Sequence, residues 1–212
     1  MEEMRTIRNE LLADKVIKGL KSRHMTGYYA KTREEALEIA LKIIPEGASI
    51  GWGGSVSVAA IGLKDAVING NYNVYNRDAC KTREEKKEIE LKTFGCDYFL
   101  TSSNAVTEDG ILINLDGNAN RVAAIAYGPE HVLMVVGMNK IVPDVDAGIY
   151  RVRNEAAPIN SQRFPIETPC KHTGSCANCK SPDSICCQLL VTRLERHPER
   201  IHVILVNDDL GF

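Results

Sequence analysis

Ala48-Ser49-Ile50-Gly51-Trp52-Gly53-Gly54-Ser55 decides the reading of the fold. It passes from a short apolar segment through a glycine-rich turn into a helix over about 55–69, with Val56, Ala59, Leu63 and Val67 on one face. A strand that feeds a helix through a tight glycine turn is the repeating unit of α/β proteins. Upstream, the spacing predicts a helix over 6–23, where Leu12, Val16 and Leu20 fall four apart. It predicts a second over 32–44, opened by Thr32 and Glu35 and ended by Pro45-Glu46-Gly47. The words Lys-Thr-Arg-Glu-Glu recur at 31–35 and 81–85, one good helix start used twice. Downstream come a strand at 72–75, a helix at 82–95, and strands at 97–101 and 111–115. A helix at 118–127 and a continuous apolar strand at 131–136 follow. Residues 144–156 have helical spacing, 157–182 read as loop, 184–196 as helix and 201–206 as strand. Strands alternating with helices predict an α/β fold with a mostly parallel sheet covered by helices. The expected organisation is a single domain over 1–212, with a helical lead at 1–30 and a cysteine-rich loop at 165–188.

The 212 residues carry a formal net charge of −2 and 44% hydrophobic content, which offers no general attraction to nucleic acid or anionic lipid. No stretch approaches the ~18 consecutive apolar residues of a membrane span. Met1-Glu2-Glu3-Met4-Arg5 does not read as a signal peptide, so the expected location is the cytoplasm, where thiols stay reduced.

Gly51, Gly53 and Gly54 let backbone approach a ligand, and Ser55 is placed to cap the helix or to donate its hydroxyl. There is no G-x-G-x-x-G and no Gly-Lys-Ser/Thr, so this is neither the dinucleotide fingerprint nor a P-loop. A ligandless tight turn fits the same residues. Polar clusters at 101–104, 107–110 and 114–121 sit at predicted strand ends, where ligands of open α/β sheets bind. Asn104, Asp116, Asn120, Arg121 and Lys140 are therefore candidate ligand-binding residues with Gly53, Gly54 and Ser55, and Glu108 is the candidate acid/base or nucleophile. The expected ligand is a small anionic metabolite.

Five of the seven cysteines lie between Cys170 and Cys187. Cys170, Cys176, Cys179 and Cys186 give C-x5-C-x2-C-x6-C, with Cys187 a rival for the fourth place. Pro169, Gly174 and Pro182 keep the segment irregular, so the thiolates are free to converge. Four sulfur ligands suit zinc or an iron–sulfur cluster. The single C-x2-C and short span point to a four-iron cluster, with zinc or plain thiols as alternatives. His172 is a spare ligand candidate; Cys80 and Cys96 read as buried or neutral thiols.

Gly51-Trp52-Gly53-Gly54-Ser55, Asn104 to Gly110, Asp116 to Arg121, Gly137-Met138-Asn139-Lys140 and Arg151-Val152-Arg153-Asn154 occur in an order that resembles the LUD (lactate utilization) family, from about residue 5 onward. The resemblance implies an architecture similar to ribose-phosphate isomerases and CoA transferases. It also implies a role in lactate-type organic acid oxidation with iron–sulfur redox partners. The chain departs from the lactate-operon members at Pro169 to Cys187, where those carry a short Gly/His segment. Three functions follow: a redox protein or redox-complex subunit, an isomerase- or transferase-like enzyme taking a CoA ester or sugar phosphate, or a non-catalytic module with structural zinc.

Overall fold

The computed structural model describes residues 2–212; the Met1 end of the helical lead lies outside them. Helix α1 (Glu2–Ser22) buries Ala13, Val16 and Leu20 and leads into β1 (Thr26–Ala30). α2 (Arg33–Ile43) follows, its Thr32 side chain accepting from the Glu35 N–H at 3.2 Å. Its fully buried residues are Ala36 and Ala40, small enough to seat the helix closely on the sheet. β2 (Ser49–Trp52) runs into α3 (Val56–Ala60) and α4 (Leu63–Asn69). The continuous helix expected at 55–69 is thus two helices. Gly62 adopts φ +75°, a left-handed conformation open to glycine, and rotates the buried stripe to Val58, Ile61, Leu63 and Val67 while Val56 turns outward.

β3 (Asn73–Tyr75), α5 (Arg83–Thr93) and β4 (Tyr98–Thr101) complete the next unit, with a reciprocal capping box between Thr82 and Glu85. Then come β5 (Ala105–Thr107), β6 (Leu112–Asp116), α6 (Asn120–Ala126), β7 (His131–Gly137), β8 (Ile141–Val142) and α7 (Val145–Arg151). A π-helical turn (Val152–Ala156) joins α7 to α8 (Ala157–Ser161), and α9 (Pro169–Thr173), β9 (Gln188–Thr192) and β10 (Ile201–Val206) close the order. The loop expected at 157–182 therefore holds two short helices.

Six strands form a parallel sheet in the order β1-β10-β7-β4-β2-β3. Strand alternation sends Leu133, Val135, Ile204 and Val206 to the face under α2, α3 and α4. Val132, Met134, Val203 and Leu205 go to the face under α1 and α6. Burial on both faces is why 131–136 reads as a continuous apolar run. Each such side chain contributes about 1.5–3 kcal/mol, so the double-sided sheet is the main source of stability.

A second sheet, β8-β5-β6-β9, packs Ala105, Ile113 and Val142 against Val152. Here the expectation of a helix at 184–196 fails. Gln188–Thr192 pairs antiparallel with β6, Leu190 opposite Asn114, and backbone hydrogen bonding to that open edge decides the conformation. Leu189 and Val191 remain 44% and 38% exposed, so the apolar letters that suggested a helix stripe bury little.

Candidate functional site

Along the parallel sheet, the chain steps from β2 outward to β3 and then returns to β4 on the other side of β2. That reversal opens a crevice at the carboxyl ends of β2 and β4, the usual ligand position in such sheets. A cleft of about 590 Å³ lies there, lined by Gly54, Ser57, Ser102, Asn104, Arg121 and Lys140 among others. Gly54 faces open space, and a side chain there would project where a ligand enters; Gly53 lies behind it, its missing Cβ 3.2 Å from the Arg121 stem. Ser55 caps α3, its Oγ accepting from the Val58 N–H at 3.2 Å, so its hydroxyl serves the helix first.

Arg121 organises one wall. It donates to the Ser102 and Leu115 carbonyls at 3.2 and 2.7 Å, and to Asn114 Oδ1 and Asn104 Oδ1 at 2.7 and 2.8 Å. Asp116 lines the cleft, and its Oδ2 accepts from the Arg121 and Val122 N–H groups at 3.0 and 3.2 Å, pinning the start of α6. Ala119 between them sits at φ +64°, a strained left-handed position held by that grip. Asn120 points to Glu90 at 3.0 Å, which also pairs with Arg77.

Lys140 is the centre. Gly137 ends β7, and a 3-10 turn (Met138–Lys140) folds the lysine back beneath the strand ends. It is 3% exposed, and its Nζ lies 3.0 Å from Ser57 Oγ and 3.1 Å from Ser102 Oγ. Burial first, and then Arg151 and Arg121, bring its amine down to about 7. Arg151, from the last turn of α7, donates to the Asn104 carbonyl at 2.6 Å and to Glu155 at 3.1 Å. The π-helical turn begins directly after it, a distortion common at functional sites. Three cations thus crowd one region, a setting for an anion. Glu108 is not part of it: the carboxylate pairs with Lys15 of α1 at 2.5 Å, away from the cleft.

Ser57 carries no local sequence signal of its role. Ser57 and Lys140 meet only through the tertiary fold.

The cysteine loop borders this cleft. Pro182, Asp183, Ser184 and Ile185 form part of its lining, directly before Cys186. All seven cysteines are free thiols. Cys186 is pushed up to about 11 by burial and then by the thiols of Cys170, Cys176, Cys179 and Cys187. Among the described residues no three His, Cys, Asp or Glu side chains are gathered tightly enough to hold a metal as they stand. The soft donor set fits a thiolate-bound metal or cluster, while the ligand geometry is not closed. Arg153 reaches the loop at Asn178 and, at 4.0 Å, Cys176 Sγ; His172 is engaged by Glu167 at 2.7 Å. Cys96 is pushed up to about 11 by burial, an inert core thiol, and Cys80 is half-buried.

The family model described as LUD domain matches residues 13–206. Among solved structures, a DUF162 family protein from Deinococcus radiodurans is similar at 14% identity with a TM-score of 0.52. The match covers 95% of this chain and 98% of that one, a likeness of fold. No curated protein matches the chain. Among the described residues no helix is long and apolar enough to cross a membrane.

Proposed function

The chain belongs to the LUD domain family, and from that premise we propose that it is a redox protein of lactate-type organic acid metabolism. It holds a small carboxylate at Lys140 and an iron–sulfur cluster in the adjoining loop. The observation that carries this reading is adjacency: residues 182–185 wall the cleft that Lys140 also lines, and they lie between Cys179 and Cys186 of the cysteine run. Arg121 and Arg151 attract the anion, and Lys140, 3% exposed beneath the strand ends, meets it from a desolvated position. Cys170, Cys176, Cys179 and Cys186 would hold the cluster, with Cys187 the alternative fourth ligand. A bound cluster supplies one-electron transfer. The loop's exposed outer side is where a redox partner protein would dock.

Iron and acid-labile sulfide in anaerobically purified protein, together with a visible spectrum that responds to lactate or pyruvate, is the expected result. Colourless protein with stoichiometric zinc rules out the cluster and favours a structural metal. A second reading, an isomerase- or transferase-like enzyme taking a CoA ester or sugar phosphate, draws on Arg77, Lys86 and Arg163 in the cleft lining, more cationic charge than a monocarboxylate needs. A thermal-shift screen separates the two: stabilisation by phosphorylated ligands and none by hydroxy or oxo acids selects the second.

A further inference from the structure

Lys140 has no carboxylate partner among the described residues; its contacts are the two serine hydroxyls. Each hydroxyl has one proton, and each has a carbonyl at hand. Ser57 Oγ donates to the Leu210 carbonyl and Ser102 Oγ to the Ser103 carbonyl, both at 3.2 Å. Both oxygens are therefore left to accept from Lys140. A neutral amine has two N–H donors and a lone pair. Its donors are then both engaged, and the lone pair is free on a side chain that lines the cleft. A desolvated lysine beside other cations is the setting in which amines act as nucleophiles toward carbonyls, and the fall of this amine to about 7 keeps a large neutral fraction near neutrality. Arg77, paired with Glu90 and with its Nε lacking a hydrogen-bond partner among the described residues, adds another cleft-lining cation.

We propose that Lys140 is a covalent site for a 2-oxo acid, forming an imine with the carbonyl carbon next to the substrate's carboxylate. The proposal rests on the cleft being an anion site but not on the cluster. The Lys140 nitrogen forms a bond to the carbonyl carbon, the carbon–oxygen bond breaks, and the oxygen leaves as water with the two hydrogens formerly on nitrogen. No electrons are transferred, and addition of water reverses the step. Ser57 and Ser102 accept from those two N–H groups, and each relays a proton by taking one from nitrogen as its own hydroxyl proton turns from the backbone carbonyl to the departing oxygen.

The test uses the full chain with pyruvate as the probe. Equilibrium dialysis measures binding, and cyanoborohydride trapping with peptide mass spectrometry locates any adduct. The expected result is a single adduct on the peptide containing Lys140, absent from Lys140→Met of unchanged circular dichroism. Ser57→Ala is expected to slow trapping by about tenfold or more, as loss of a proton relay does. Should Lys140→Met fail to fold, the wild-type peptide map still decides. Pyruvate that binds without being trapped, or an adduct spread over exposed lysines, overturns the imine and leaves the anion site standing. Absence of pyruvate binding overturns both.

Discussion

The Lys140 cleft and the cysteine loop adjoin each other, yet they are held by opposite means. In the cleft, buried donors and acceptors are interlocked before any ligand arrives: Asn104 is gripped at its side chain by Arg121 and at its carbonyl by Arg151. In the loop, Cys179 and Cys187 are exposed, and the ties are surface contacts such as His172 to Glu167. The first region is preorganised by the fold; the second is tied down at its surface, and under the proposed cluster reading its thiols would be gathered by the metal. Damage to the cleft should therefore register as lost stability, and damage to the loop, if the proposed cluster is bound there, as lost metal.

The largest expected effect that sharpens this contrast is the pH dependence of Lys140. Its folded amine titrates near 7 against 10.5 for the ordinary group. As pH falls from 10.5 to 7, the unfolded chain takes up a proton that the folded chain refuses, so stability declines over that window and then levels off. Relative to Lys140→Met, wild type should lose roughly 4–5 kcal/mol across it. Denaturant titrations at several pH values measure this, and parallel curves for the two proteins would break the contrast.

Next is Arg121→Ala, which strands Asn114 Oδ1, Asn104 Oδ1 and two carbonyls. It should cost about 2–4 kcal/mol in the same assay. Arg153→Ala, which frees the loop from the helix behind it, should cost about 1 kcal/mol or less and speed proteolytic cleavage near Asn178. The smallest effect belongs to Cys176→Ser. Metal-free protein should change by under ~0.5 kcal/mol, while metal content after anaerobic reconstitution collapses. A large loss of stability in the metal-free variant would show that the loop is as preorganised as the cleft.

Much of the six-stranded sheet was legible because buried parallel strands write themselves as apolar runs, Val132 to Val136 above all. Strand order was not legible, since nothing local says that β10 lies between β1 and β7. Gln188–Thr192 misled because its apolar residues serve an edge strand of a small sheet, where pairing with β6 rather than burial sets the conformation. In the site, Lys140 and Arg121 stood out by residue type at strand ends. Ser57 did not, because its role exists only once the fold brings it to Nζ of Lys140. Glu108 carries the same residue-type signal at a strand end as Lys140, and tertiary placement beside Lys15 separates it from the cleft.

The position of β10 has a consequence for how the protein comes into being. Thr26 pairs with His202 and Ala30 with Val206, so β1 has no neighbour in the sheet until a strand far downstream has left the ribosome. During synthesis, the nascent sheet would present one side of β7 and the whole of β1 without partners, the condition under which strands seek other chains. Insertion of β10 seals both at once, so assembly is expected to be late and sensitive to the rate of translation. In that interval α1, packed on β1 with Leu20 and Val16, is placed to shield it.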